Sequence, residues 1–297
     1  MDQYLIYTDS AVDMPQHIYE EYDVRIIPMD YVLAGESITF YSNSPDRDEY
    51  CDRLYAALKE GADVQTSQIT PFRYIETWTP ELEAGHDILY LSFSSGMSAT
   101  YDNACSAANQ LKEDFPDRTI CVVDTLAATS GQGIFTHAAL LNRAAGMSIA
   151  ENEAWLIEKR PYLCHRFMVG DLNYLHKGGR VSSAVAIIGS MLNIKPLLII
   201  DDEGKLQVVS KARGQKPAMK RLVQSYKSEM GVQDVPKLVY IGHTSLYEEA
   251  ESLKKMIEEV AEEGTVVELQ NLSPVIGVHC GPSFFSVCGW GQHRVEA

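Results

Sequence analysis

The chain has 297 residues, of which 45% are hydrophobic and 22% charged, a composition suited to an ordinary globular protein with a core large enough for one or two domains. A formal charge of −16 argues against nucleic-acid binding, which needs a basic footprint. No apolar run approaches the ~18 residues of a membrane span, and the start "MDQYLIYTDS" has no basic stretch ahead of an apolar one, so no signal peptide is predicted.

In chain order, "YLIYTDS" (4–10) reads as a strand and "MPQHIYEEYD" as a helix. "VRIIPMDYVL" (24–33) reads as one further strand, and "RDEYCDRLYAALKEG" as a helix with Tyr50, Leu54, Tyr55 and Leu58 on its apolar stripe. "DILYLSFS" (87–94) is a strand followed by a helix whose stripe is Tyr101, Ala104, Cys105, Ala108 and Leu111. "TICVVDT" (119–125) precedes the long apolar helix "GIFTHAALLNRAAG". Such strand–helix alternation predicts a mostly parallel, doubly wound sheet covered on both faces.

From "CHRFMVG" (164–170) the pattern changes. "DLNYLHKGGRVSSAVAIIGSMLNIKP" is helical with a Gly-Gly break, and "PLLIIDDEGKLQVVSKARG" is a β-hairpin turning on Asp-Glu-Gly. A basic helix (216–230), a strand (237–245), an acidic helix (247–263) and a last strand (265–273) follow. The fold class expected is therefore α/β in two domains: an N-terminal Rossmann-like domain over 1–158, and a C-terminal α/β domain with a mixed sheet over 159–297. With no low-complexity linker between them, the two are expected to pack together, and the chain to be a monomer.

Ligands of open parallel sheets bind beyond the carboxyl ends of the strands. Polar clusters occur at four predicted strand ends: "TDSAVD" (8–13), "TSQITP" (66–71), "SFSSGMSAT" (92–100) and "DTLAATSGQG" (124–133). They are rich in hydroxyls and glycine and poor in bases, which suits an anion held by hydroxyls and helix N-terminal amides. Each Ser or Thr could equally do no more than cap its own helix. Ser94 or Ser95 as a nucleophile fails the G-x-S-x-G test, because Phe93 and Met97 stand beside the pair. Phosphate-binding G-x-x-x-x-G-K-[ST] and G-x-G-x-x-G loops are absent, as is H-E-x-x-H, so no nucleotide, metal or other cofactor is expected. The six cysteines form no C-x-x-C pair, which fits reduced thiols in a cytoplasm. His279, in "SPVIGVHCGPSFF" (273–285) after the last predicted strand, is either a satisfied core side chain or a ligand contact. Arg180, after a glycine pair, either caps a helix or reaches an anion. Residues 159–227 hold 13 of the 25 Lys and Arg against four acids, about +9 locally against about −25 elsewhere. That is a solvated face or a docking surface.

Eight segments in order resemble the DegV family of bacterial fatty-acid-binding proteins: "TDSAVDMP" (8–15), "TSQITP", "SSGMSATY" (94–101), "DTLAATSGQG", "DLNYLHKGGRVS" (171–182), "LNIKPLL" (192–198), "GKLQVVSKARG" (204–214) and "HCGPS" (279–283). The resemblance implies a carrier, not an enzyme, that holds one long-chain fatty acid in a tunnel. It implies that the carboxylate is bound by Thr66, Ser94, Ser95, the Gly96 amide and His279, with Ser94 as the expected contact and Ser95 as the cap. It also implies presentation of that carboxylate to a separate ATP-dependent fatty acid kinase. Arg180 and Arg213 are the candidate docking residues, for the kinase or for an anionic membrane surface, and "VSSAVAIIGSMLNI" (181–194) is a candidate tunnel wall or lid. Ala99 and Ser283 stand where the family often has glycine, and Phe284 and Phe285 where smaller residues are usual, so the pocket near the head group is expected to differ. The competing reading is a serine-dependent hydrolase acting on a small carboxylate or phosphate ester.

Overall fold

The computed structural model describes residues 4–182, 193–229 and 234–294. In chain order the first half contains β1 (Leu5–Asp9), α1 (Gln16–Glu21), β2 (Val24–Ile27), β3 (Met29–Leu33), β4 (Glu36–Phe40), α2 (Arg47–Lys59) and β5 (Val64–Thr66). It continues with α3 (Pro71–Glu83), β6 (Ile88–Ser92), α4 (Thr100–Asp114), β7 (Ile120–Asp124), α5 (Thr129–Ala144) and α6 (Ile149–Lys159). Four strands form a parallel sheet in the order β2-β1-β6-β7. Alternation along β1 sends Leu5 and Tyr7 into the core shared with α2, α3 and α4, and Ile6 into the core shared with α1, α5 and α6. Helices thus cover both faces, the doubly wound arrangement, and the order reverses between β1 and β6. Ligand sites of this fold class lie at that switch point.

The segment 24–33 is not one strand. Pro28 has no amide hydrogen to give a ladder, and the chain leaves the parallel sheet there. β3 then joins a separate antiparallel sheet, β4-β3-β5. Thr66 therefore ends a strand of this small sheet rather than of the parallel one.

The second half contains β8 (Leu163–Val169), α7 (Asn173–Lys177), β9 (Ile194–Ile200), β10 (Leu206–Arg213), α8 (Gln215–Glu229), β11 (Leu238–His243), α9 (Tyr247–Glu258), β12 (Val266–Asn271), α10 (Pro274–Cys280) and β13 (Phe284–Trp290). Its six strands form a mixed sheet, β10-β9-β8-β13-β11-β12, in which β11 and β12 are parallel and the other pairs antiparallel. The hairpin expected at 196–214 is β9–β10. The helix expected over 181–194 falls mostly on 183–192, outside the described residues. Residues 274–280, to which no element was assigned from the sequence, form a helix with Pro274 in its first turn. β13 had not been expected at all, because "FFSVCGW" is buried on both faces and so lacks the alternation by which half-buried strands are recognised.

One face of this sheet carries Met168, Phe285 and Val287 against α8 and α9, while the other turns Phe167, Val169, Ile200 and Phe284 toward the first half. The halves are also joined by a buried polar knot. Arg47 of α2 donates to Met14 O at 2.9 Å, Asp13 Oδ1 at 2.8 Å and Asn271 O at 2.5 Å. Asp13 Oδ1 also accepts from Ser273 N at 3.1 Å, and Tyr55 donates to Leu272 O at 2.6 Å. Asp13 is fully buried. Burial pushes its carboxyl up to about 7, and the Arg47 charge opposes that rise.

Candidate functional site

Between the inner face of the mixed sheet and the first half lies a cavity of about 1060 Å³, at the upper end of the range for small-molecule sites. Its walls are mainly apolar, with Met29, Phe93, Phe167, Ile200, Val278 and Phe284 among them. Polar groups reach its wall from three separate pieces of chain. Thr66 arrives from the end of β5, His279 from the last turn of α10, and Ser98 from the residues leading into α4.

Thr66 Oγ1 and His279 Nε2 lie 2.9 Å apart, within hydrogen-bond distance. Burial, reinforced by the nearby Arg180 charge, lowers the His279 pKa to about 4, so the imidazole is neutral at pH 7 and offers one donor and one acceptor. Ser98 Oγ lies 2.9 Å from Thr100 Oγ1 and accepts from Thr100 N at 3.2 Å. It therefore shapes the start of the 15-residue α4, whose N-terminal end carries partial positive charge. Arg180 borders the same end, with its Nε donating to Met97 O at 3.2 Å and its guanidinium also bonded to Gly178 O. Gly178 is required there: a Cβ at that position would fall 2.4 Å from His279 Nδ1. The arrangement can bind an anion through neutral donors with one guanidinium nearby. Among the described residues, no group of three His, Cys, Asp or Glu side chains could hold a metal.

The other expected residues lie beside this wall rather than on it. Ser94 is fully buried, and its Oγ donates to Gly204 O at 2.8 Å while accepting from Gly96 N at 3.2 Å. Its hydroxyl ties the end of β6 to the β9–β10 turn. There Gly204 has φ +76°, and a Cβ would lie 2.2 Å from that oxygen. Ser95 is exposed, with its N–H donating to Asp124 Oδ1 at 3.2 Å. Gly96 borders a smaller pocket of about 430 Å³ that Arg180 and Lys205 also line. Arg213 is exposed at the end of β10, away from the cavity wall. Ser98 was missed because the Ser-Ser-Gly triplet marks the strand end so clearly. The helix starts only at Thr100, and the residues just before a helix are the ones that present its free end.

The two expected bulky departures separate on opposite faces of β13. Phe284 lines the cavity, whereas Phe285 is buried among α8 and α9. Phe284→Ala is expected to enlarge the cavity and shift the profile of bound ligands toward longer or bulkier chains. Phe285→Ala is expected to leave the profile as it is and cost ~3–5 kcal/mol of stability, the usual result of truncating a core phenylalanine. Mass spectrometry of extracted ligand and urea titration check both, and a profile unmoved by Phe284→Ala would refute the assignment.

The model of a family described as "Uncharacterised protein, DegV family" matches residues 3–290. A DegV domain-containing protein of Clostridium perfringens is 36% identical over 294 residues, covering 99% of each chain. Among solved structures, a fatty acid binding DegV family protein from Streptococcus agalactiae is similar at TM-score 0.82 and 27% identity, with 99% of this chain and 100% of that one covered. A DegV family protein from Thermus thermophilus, described for its fatty acid binding, is similar at TM-score 0.82 and 26% identity, with 98% and 100% covered.

Proposed function

The chain belongs to the DegV family, and from that premise we propose that it binds one long-chain fatty acid, the acyl chain in the 1060 Å³ cavity and the carboxylate at Thr66, Ser98 and His279. The observation that carries this reading is a large, mainly apolar cavity with the paired Thr66 and His279, and Ser98 at the start of α4, on its wall. Burying about 14 methylenes at ~0.8 kcal/mol each contributes on the order of 11 kcal/mol before ordering costs. The chain then supplies most of the affinity, and the polar end fixes which way round the acid enters. Ser94 lies beside the wall, holding the end of β6 against Gly204.

The proposal extends to presentation of the carboxylate to a separate ATP-dependent kinase. A polar end made of neutral groups leaves a carboxylate oxygen free for phosphoryl transfer. Lys211, Arg213, Lys216, Lys220 and Arg221 are exposed on β10 and α8, a basic face suited to an acidic partner. The cysteines are free thiols, in keeping with a cytoplasmic carrier. Hydrolase chemistry draws no support from the geometry, since the Ser94 hydroxyl meets a main-chain carbonyl and not an imidazole.

Denaturing the purified protein and extracting it for mass spectrometry is expected to release a stoichiometric long-chain fatty acid. Incubating the loaded protein with a bacterial fatty acid kinase and ATP is expected to convert that acid to its acyl-phosphate. Recovery of no lipid, together with covalent labelling of Ser94 or Ser95 by a serine-reactive probe, would favour the enzyme reading instead.

A further inference from the structure

The cavity has a second polar region, away from Thr66 and His279. β8 and β13 run antiparallel along its floor, with Phe284 opposite Val169, Ser286 opposite Phe167 and Cys288 opposite His165. At ~3.3 Å per residue, the four steps from Phe284 to Cys288 carry the wall about 13 Å further along. There the lining changes from phenylalanine to Thr129, His165, Ser286 and Cys288.

His165 is 2% exposed, and neither ring nitrogen makes a hydrogen bond of normal geometry among the described residues. Burial holds its pKa well below the usual imidazole value, with Arg294 and Arg166 adding to the effect; the Leu163 backbone opposes it only weakly. The ring is neutral, with a donor on one nitrogen and an acceptor on the other. It is also held in place, because a Cβ on Gly131 would fall 1.7 Å from Nε2. Ser130 Oγ, on the adjoining first turn of α5, is buried and has no partner among the described residues. Leaving the His165 ring unpaired against a hydrocarbon chain costs ~1–3 kcal/mol, and an apolar side chain at residue 165 would avoid that cost.

We propose that this end of the cavity is a subsite for an oxygen function on the acyl chain, so that the protein accepts fatty acids carrying a hydroxyl or keto group well away from the carboxylate, with His165 as the residue that selects them. The inference rests on the acyl-chain reading above and narrows its ligand class. A hydroxyl at the matching carbon can bond the ring nitrogen not covered by Gly131, donating or accepting according to the tautomer, while the same hydroxyl elsewhere along the chain is buried against Phe167 or Phe284 without a partner.

The test uses delipidated full-length protein, titrated by competition against a fluorescent fatty acid with stearate and with hydroxystearates whose hydroxyl is moved stepwise along the chain. One isomer is expected to bind at least as tightly as stearate, with the others about tenfold weaker or more. In His165→Leu the order reverses, and stearate outcompetes that isomer. If every hydroxylated isomer binds more weakly than stearate to the wild-type protein, the subsite does not exist, and this series decides the matter even if the variant fails to fold. If stearate fails to bind as well, the acyl-chain reading itself falls and the inference goes with it.

Discussion

Arg47→Ala is expected to destabilise the protein by on the order of 3–5 kcal/mol, the cost of removing one partner from a buried ion pair. The guanidinium satisfies Asp13 Oδ1 and the carbonyls of Met14 and Asn271 together, so its loss strands acceptors on both sides of the junction between the two halves. The cost also depends on pH. The folded-state pKa of Asp13 is raised to about 7, mainly by burial, so the folded chain holds a proton that the unfolded chain releases near pH 4. The contribution of this group to stability is therefore greatest below the unfolded value and is lost as pH rises through the folded one. Without Arg47 only the Ser273 amide still opposes the burial, and the loss on going from about pH 6 to pH 8 should be larger than in the wild type. Urea denaturation of both proteins at the two pH values measures this. The double variant Asp13→Asn, Arg47→Met should recover part of the stability, because it removes both charges together. A loss below ~0.5 kcal/mol that does not change with pH would mean that the knot does not hold the halves together.

Gly178→Ala is expected to weaken binding of a long-chain carboxylate by about tenfold to a hundredfold, the range for losing a hydrogen bond to a charged group. Gly178 has φ −72° and ψ −10° at the end of α7, so alanine suits the backbone and the fold should survive. The new methyl, however, would fall 2.4 Å from His279 Nδ1. The imidazole must move, and the 2.9 Å contact to Thr66 is broken. Two controls distinguish this from general damage. The methyl ester of the same acid, which has no anion to hold, should lose much less affinity. In a His279→Ala background, Gly178→Ala should add little, because residues acting through one group are not additive. Competition binding on delipidated protein reads both, and equal losses for acid and ester would remove His279 from the head-group site.

Most of the fold was legible because burial leaves a periodic trace. The stripes in "RDEYCDRLYAALKEG" and after "SFSSG", and the strand–helix alternation through residue 144, arise from one-sided or layered packing that the chain must encode locally. Where packing is the same on all sides the trace disappears, which is why the fully buried β13 went unread. The break at Pro28 was present in the sequence but overridden by the apolar residues on both sides of it.

The site was legible as composition and less so as assignment. Clusters of hydroxyls at strand ends suggested an anion site, and Thr66 and His279, which the fold brings into contact, were both named although 213 residues separate them. Their contact required an antiparallel side sheet to deliver one and a short helix, not assigned from the sequence, to deliver the other. Ser94 and Ser98 lie four residues apart in one motif and are indistinguishable by residue type. Only the folded chain turns the first into a strut against Gly204 and places the second at the cavity.

The sequence by itself determined the α/β class, the doubly wound first half and the polar character of one end of the site. All of these follow from local periodicity and from which residue types gather where strands end. The tertiary structure alone decided which hydroxyl reaches the cavity wall, that Phe284 lines the cavity while Phe285 does not, and that His165 has no hydrogen-bond partner among the described residues. Those depend on strand register and on contacts between residues more than a hundred positions apart, where a shift of one residue exchanges the inside of a sheet for its outside.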